Sequence, residues 1–233
     1  MDKVKTGIKG FDKLVEGGFP RGKIILLSGT PGTCKTIFAL QFLYNGATQF
    51  NEKGLYISFE ERMQNLKNQA LQFGWDFDKL EKEKKVEIIS LPAKSIKETT
   101  ASEIIKLAVK NKISRLVIDS LSALSINTPT TYSKVTELTD ISIKRFMYSF
   151  INDLRDVKNG ATSLLISQTT DGQLSRDGIS EFICDGIVHI NYESLGGKYS
   201  RTLTIRKMRE TKNDEDIHAV EISHKGLVIH GFK

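Results

Sequence analysis

Gly29-Thr30-Pro31-Gly32-Thr33-Cys34-Lys35-Thr36 decides the fold. It follows the apolar run Ile24-Ile25-Leu26-Leu27-Ser28 and leads into a helical pattern over Lys35–Phe50. A buried strand, a glycine-rich turn and a helix N-terminus in that order gather backbone N–H groups and the positive end of a helix dipole around one point. That arrangement is a cradle for phosphate oxygens. Lys35 has the reach to touch β- and γ-phosphates, and the Thr36 hydroxyl is of the kind that ligates Mg²⁺. The octapeptide, Gly29, Thr30, Pro31, Gly32, Thr33, Cys34, Lys35 and Thr36, is therefore read as a phosphate-binding loop for ATP.

One position departs from the pattern, because Cys34 stands where its last glycine belongs. If that position needs a left-handed backbone, a side chain there costs about 1–2 kcal/mol, and each 1.4 kcal/mol is about tenfold in affinity. The backbone N–H remains, so the expectation is weakened binding. A thiol beside Lys35 and a helix N-terminus would also have a lowered pKa, which adds a redox role as an alternative to a tolerated substitution.

A magnesium-dependent nucleotide site needs a carboxylate at the end of another buried strand. Leu116-Val117-Ile118-Asp119 supplies it, with Asp119 the partner of Mg²⁺ or of its water. Hydrolysis also needs a group that orients or deprotonates water. Glu60 and Glu61 follow the strand pattern Leu55–Phe59, and strand ends emerge on the same sheet edge as the phosphate loop. Two adjacent carboxylates there can raise the pKa of one member and fit it to act as a base. Acids that merely open the helix before Met63 are the competing explanation. Gln168, after Leu164-Leu165-Ile166, is a polar side chain at a further strand end, placed to sense a γ-phosphate or simply to end the strand.

Short apolar runs alternate with helical stretches, which marks an α/β domain with a mostly parallel central sheet flanked by helices. Strands are expected at Lys23–Ser28, Leu55–Phe59, Val86–Leu91, Arg115–Asp119 and Ser163–Ser167, and helices at Lys35–Phe50, Met63–Phe73, Ser102–Lys112 and Val135–Lys158. Thr100 and Glu103 have capping-box spacing, and Gly74 and Gly160 sit where glycines close helices. Thr169–Ile179 reads as a long mobile loop with little hydrophobic anchoring. Beyond it, Gly186–Tyr192 and Ser200–Arg206 flank Gly196-Gly197 as an antiparallel hairpin, and strands near Ala219–Ser223 and Leu227–His230 follow. With no internal repeat and no linker, residues 1–233 read as one domain.

Hydrophobic residues make up 39% and charged residues 27% of the 233-residue chain, an ordinary globular balance. The two cysteines lie far apart, which suits a reducing compartment. No apolar run approaches the roughly 20 residues of a membrane span, and no apolar signal segment follows the first residues, so a cytoplasmic location is expected. The net charge of +6 modestly raises the case for a nucleic-acid partner, with a solvated lysine-rich surface as the competing explanation.

Taken together, these motifs resemble the KaiC family of RecA-type ATPases, particularly its archaeal single-domain members. The resemblance begins with Thr6-Gly7-Ile8-Lys9-Gly10-Phe11-Asp12 and Gly17–Gly22. It runs through the phosphate loop, Ile57–Glu61, Leu116–Ser120 and Glu181–Gly186, and ends with Lys207-Met208-Arg209 and Gly226-Leu227-Val228. It implies a RecA-like P-loop core and homo-oligomeric rings, commonly hexamers, with ATP between subunits. By the same resemblance Glu60 and Glu61 match catalytic glutamates. Lys207 and Arg209 match the basic pair that reaches a neighbour's γ-phosphate, and a cation supplied in trans neutralises charge developing in the transition state. Their spacing alone puts them on the same side of a strand end. Two residues depart from the family: Cys34, and Glu210 where glycine usually follows the basic pair, either tempering Arg209 or pairing with another base.

Three functions are compatible with these residues. The first is a Mg²⁺-dependent ATPase completed between subunits, and the second a nucleotide-responsive switch that barely hydrolyses ATP. The third is a recombinase-like protein in which the loop after Gln168 touches DNA, although that loop sets Arg176 against Asp171 and Asp177. No protein partner can be identified from the residues.

Overall fold

In the computed structural model, residues 2–127, 136–155, 160–170, 172–192 and 200–231 are described, with the side chains of residues 93 and 136–140 excepted. Two short strands, β1 (Lys3–Val4) and β2 (Phe19–Pro20), pair with each other ahead of the main sheet. That sheet contains β3 (Ile24–Gly29), β4 (Gly54–Ser58), β5 (Val86–Ser90), β6 (Arg115–Asp119), β7 (Thr162–Gln168), β8 (Gly186–Tyr192), β9 (Arg201–Met208), β10 (His218–Ser223) and β11 (Gly226–His230). Its order is β11-β10-β9-β8-β3-β7-β6-β4-β5. Pairings from β8 to β5 are parallel, and those from β8 to β11 are antiparallel. The mostly parallel sheet with C-terminal antiparallel strands is thus the architecture expected.

The helices are α1 (Lys35–Gln49), α2 (Met63–Leu71), α3 (Phe77–Lys82), α4 (Thr100–Lys110), α5 (Leu121–Ile126), α6 (Thr136–Arg155) and the single turn α7 (Ser180–Ile183). They cover both faces of the parallel strands, and that is why these strands are apolar at consecutive positions. In β3, Ile25 and Leu27 face the core under α1, where Phe11, Phe19, Phe38 and Phe42 interlock edge to face. Ile24 and Leu26 face the core under α4, α5 and α6. Arg115 is fully buried at the first of these cores. It donates to Glu52 and to the carbonyls of Phe42 and Lys5, and a Cβ on Gly46 would come within 2.5 Å of its stem. Gly46 is therefore a space requirement within α1.

Boundaries differ from expectation where hydrogen bonding outvotes residue type. The third expected helix begins at Thr100, and Thr99, not Thr100, bonds the Glu103 carboxylate, while the Thr100 hydroxyl accepts from the backbone N–H of Lys97. Gly74 and Gly160 do adopt left-handed backbones, at φ 78° and 63°. Residue 135, residues 156–158 and the Gly196-Gly197 turn lie outside the described residues. The expected loop after Gln168 is better anchored than its composition suggested. Asp177 is buried and accepts from the backbone N–H groups of Ile179 and Ser180 and from the Ser180 hydroxyl. The backbone N–H of Arg176 donates to Ser167. Among the described residues no helix is long and apolar enough to cross a membrane.

Candidate nucleotide site

Parallel register brings the carboxyl ends of β3, β7, β6 and β4 together, with Gly29 opposite Gln168, Asp119 opposite Ile166 and Ser58 opposite Asp119. The turn after β3 then runs into α1. Gly29 has no room for a side chain, since a Cβ would lie 2.1 Å from the Ile190 carbonyl oxygen. Gly32 has a positive φ of 81°. Lys35 is buried, and its Nζ donates to the carbonyls of Gly29 and Thr30 at 2.7 Å and to Thr33 Oγ1 at 3.1 Å. Burial holds the Lys35 ammonium down at about 8, against a favourable field from Asp119. A cation poorly compensated by water in a glycine-rich turn fits a phosphate ligand.

Asp119 supplies the complementary charge. Its Oδ2 accepts from the Tyr56 hydroxyl at 2.6 Å and from Thr36 Oγ1 at 3.3 Å. Tyr56 is fully buried. It lies beside Val117 in the β4–β6 register, so its ring rises along the same sheet face toward Asp119. Burial pushes the Asp119 carboxyl up to about 6 despite these hydrogen bonds. An oxygen donor set of Thr36 and a buried, strained carboxylate suits a hard divalent cation. The sign follows from linkage. A carboxyl whose folded pKa lies above its unfolded value is a burden when ionised, full above about pH 6 and relieved as pH falls through that value. Two pKa units correspond to roughly 3 kcal/mol. Nucleotide-free Asp119→Asn should therefore melt several degrees above the native chain at pH 7.5, by the roughly 2–4 °C per kcal/mol expected at this size. The gap should narrow at pH 5. Calorimetry at the two pH values checks this, and a variant less stable at both would show that the carboxylate is not strained.

Glu60 reaches across from the end of β4. Its carboxylate accepts from the Ser120 hydroxyl and, at 2.7 Å, from Gln168 Nε2. Gln168 is itself fixed by its backbone N–H, which donates to Ser122 Oγ at 2.9 Å. Glu61 is held through its backbone: its N–H donates to Ser58 Oγ, and its carbonyl accepts from Ser90. Both glutamates line one pocket of about 360 Å³ with Lys35, Thr36, Asp119 and Gln168.

Lys207 and Arg209 stand elsewhere. A bulge between β8 and β9 opposes Ile187 to Lys207 and Val188 to Ile205, which turns this end of β9 toward α7. Lys207 Nζ donates to the carbonyls of Glu181, Phe182 and Cys184, and Arg209 pairs with Asp185 at 3.4 Å. Burial, and then the Arg209 charge, hold the Lys207 ammonium below the usual lysine range. The basic pair lines a cavity of about 790 Å³ that, among the described residues, shares no lining residue with the phosphate-loop pocket.

Cys34 has φ 65° and ψ 25° at the N-cap of α1, so the left-handed backbone that the position was suspected to need is present. Its expected low pKa is not. Burial pushes the thiol up to about 12, outweighing the fields of Arg201 and Lys35. A protonated thiol is a poor nucleophile, which removes the basis for a redox role. Glu210 also adopts a left-handed backbone, at φ 59°, but its carboxylate pairs with Lys23 at 2.9 Å, the second of the two arrangements considered for it. Three contributors were not anticipated: Tyr56, Ser120, and Arg201, whose Nε donates to the Gly32 carbonyl at 3.0 Å.

A family model described as "ATPase: KaiC" matches residues 4–233. A UPF0273 protein of Thermotoga maritima is 33% identical, the match covering 99% of this chain and 96% of that protein. A KaiC-like protein from Pyrococcus horikoshii has a solved crystal structure that superposes with a TM-score of 0.84 at 35% identity, over 99% of each chain. The circadian clock oscillator protein KaiC of Thermosynechococcus vestitus is 33% identical over 91% of this chain, but only 41% of that longer protein is matched.

Proposed function

This chain belongs to the KaiC ATPase family, and from that premise we propose that it is a Mg²⁺-dependent ATPase, one domain over residues 1–233, whose active sites are completed between copies in a homo-oligomeric ring. The observation that carries the reading is the division of charge into two places. The phosphate loop, Asp119, Glu60, Glu61 and Gln168 meet in one pocket, while Lys207 and Arg209 occupy a separate cavity of the same chain. A head-to-tail contact joins two such unlike surfaces, and it makes a ring where its rotation closes on itself.

The roles follow from chemistry. Backbone N–H groups of Gly29–Thr36 and the Lys35 ammonium bind the phosphates. Thr36 and Asp119 hold Mg²⁺, which when bound would neutralise charge on the phosphate oxygens. Glu60 and Glu61 orient and deprotonate the attacking water, with Gln168 and Ser120 keeping the Glu60 carboxylate in place. Gln168 stands one residue before Thr169, whose N–H donates to the Gly29 carbonyl. These bonds tie the Glu60 carboxylate to the end of β7 and, through Thr169, to the first residue of the phosphate loop.

Left-handed Cys34 favours a second reading, a nucleotide-responsive switch with little hydrolysis. Comparing the native chain with Cys34→Gly separates the two. Glycine relieves about 1–2 kcal/mol of backbone cost, so an ATPase should release phosphate steadily in both forms, with Cys34→Gly no more than about thirtyfold faster. A native chain that binds MgATP without measurable phosphate release would favour the switch, and one that binds no MgATP would remove both readings. The recombinase-like alternative gains nothing from the loop after Gln168, where the exposed Arg176 is followed by a buried, fully hydrogen-bonded Asp177.

A further inference from the structure

The sheet edge opposite the phosphate loop carries a second concentration of charge. There β4, β5 and β6 begin, and a cleft of about 660 Å³ is lined by Lys53, Lys84, Lys85, Lys110 and Lys112. Three chain segments deliver them, pinned by the Gly54 N–H donating to the Lys85 carbonyl and the Ser114 N–H donating to the Lys53 carbonyl, each at 2.9 Å. The carboxylates nearby are already engaged. Glu81 accepts from Lys67 and from the Ile88 N–H, Glu87 from Asn111, and Glu83 pairs with Lys85. Lys53, Lys84, Lys110 and Lys112 are exposed and, among the described residues, form no ion pair.

Two of these lysines occupy backbone positions that glycine would fill at lower cost. After α3, the Lys84 N–H donates to the Glu81 carbonyl and the Lys85 N–H to that of Leu80. After α4, the Lys112 N–H donates to Val109 and the Ile113 N–H to Ala108. Both are helix-closing motifs with a left-handed residue, Lys84 at φ 56° and Lys112 at φ 54°. The chain closes α2 by the same pattern, away from the cleft, and uses Gly74 there. A lysine in this conformation costs about 1–2 kcal/mol. The field at a helix C-terminus returns about 0.3–1 kcal/mol at an exposed position. The side chains at 84 and 112 are thus kept at a net cost to the fold.

We propose that this cleft binds the phosphate backbone of a duplex nucleic acid, independently of the nucleotide site. Unpaired ammonium groups on flexible stems suit phosphates as point charges. Among the described residues the lining has no aromatic ring to stack on an unpaired base and no arginine fork to read a base edge. Contacts are therefore to the backbone alone, sequence-independent and dominated by counterion release.

The test is fluorescence anisotropy of a labelled random-sequence DNA duplex over a salt series without ATP. Four phosphate contacts give a slope of log affinity on log salt near about −3.6. Lys84→Gly/Lys112→Gly should melt at least as high as the native chain yet lose about half of that slope, and Lys53→Gln/Lys110→Gln should lose a similar share. Absence of duplex binding by the native chain would overturn the proposal, as would a slope unchanged in both variants. Tighter binding of polyglutamate than of duplex at equal salt would assign the cleft to an acidic protein and overturn it as well.

Discussion

Glu60→Gln/Glu61→Gln is expected to bind MgATP as the native chain does and to release phosphate about 10²–10⁴-fold more slowly, the usual contribution of a positioned acid or base. The substitution preserves shape and removes charge. It leaves the backbone of Gly29–Thr36, proposed to contact phosphate, untouched, and the Lys35 ammonium keeps its three acceptors. Binding followed with a fluorescent ATP analogue, and turnover followed by phosphate release, separate the two effects. Full turnover in the double variant would remove the catalytic role from the pair. Lost binding together with lost turnover would show that the glutamates shape the pocket instead.

Much of this site was legible in the sequence because its principal groups end buried strands or lie just beyond them. Lys35, Asp119, Glu60 and Gln168 follow apolar runs, and parallel strands deliver their carboxyl ends to one edge. Tyr56 was not legible. A tyrosine inside Leu55–Phe59 reads as apolar filling, and only the β4–β6 register shows its hydroxyl beneath Asp119. Ser120 was not legible either, because no helix was expected after Asp119; in the structure it caps α5, its hydroxyl accepting from the Ala123 N–H. Arg201 is separated from Gly32 by most of the chain, so nothing local links them. The Cys34 pKa was misjudged for a related reason: neighbouring charges are visible in a sequence, whereas burial is not, and burial outweighs them. The helix-closing lysines were hidden because composition records their charge and not their backbone angle.

The basic pair makes the sharper prediction, because it asks where a site ends. Lys207→Ala/Arg209→Ala should retain nucleotide binding and lose about 10³-fold or more in turnover, within the range for a cation supplied in trans. A loss of that size by itself has two explanations. Lys207 donates to three carbonyls around α7, so its removal could loosen Asp185 and the start of β8. Mixing resolves this. Chains carrying Lys207→Ala/Arg209→Ala keep intact glutamates, and chains carrying Glu60→Gln/Glu61→Gln keep an intact basic pair. In a head-to-tail assembly formed at equal proportions, about one interface in four joins the intact half of each. Two inactive proteins should then recover roughly a quarter of native turnover after exchange of subunits. If the pair acts within its own chain, or only props up α7, no mixed interface contains a whole site and the mixture stays inactive. Recovery on mixing therefore depends on the feature the fold displays, a basic cavity and a phosphate-loop pocket that share no lining residue among those described.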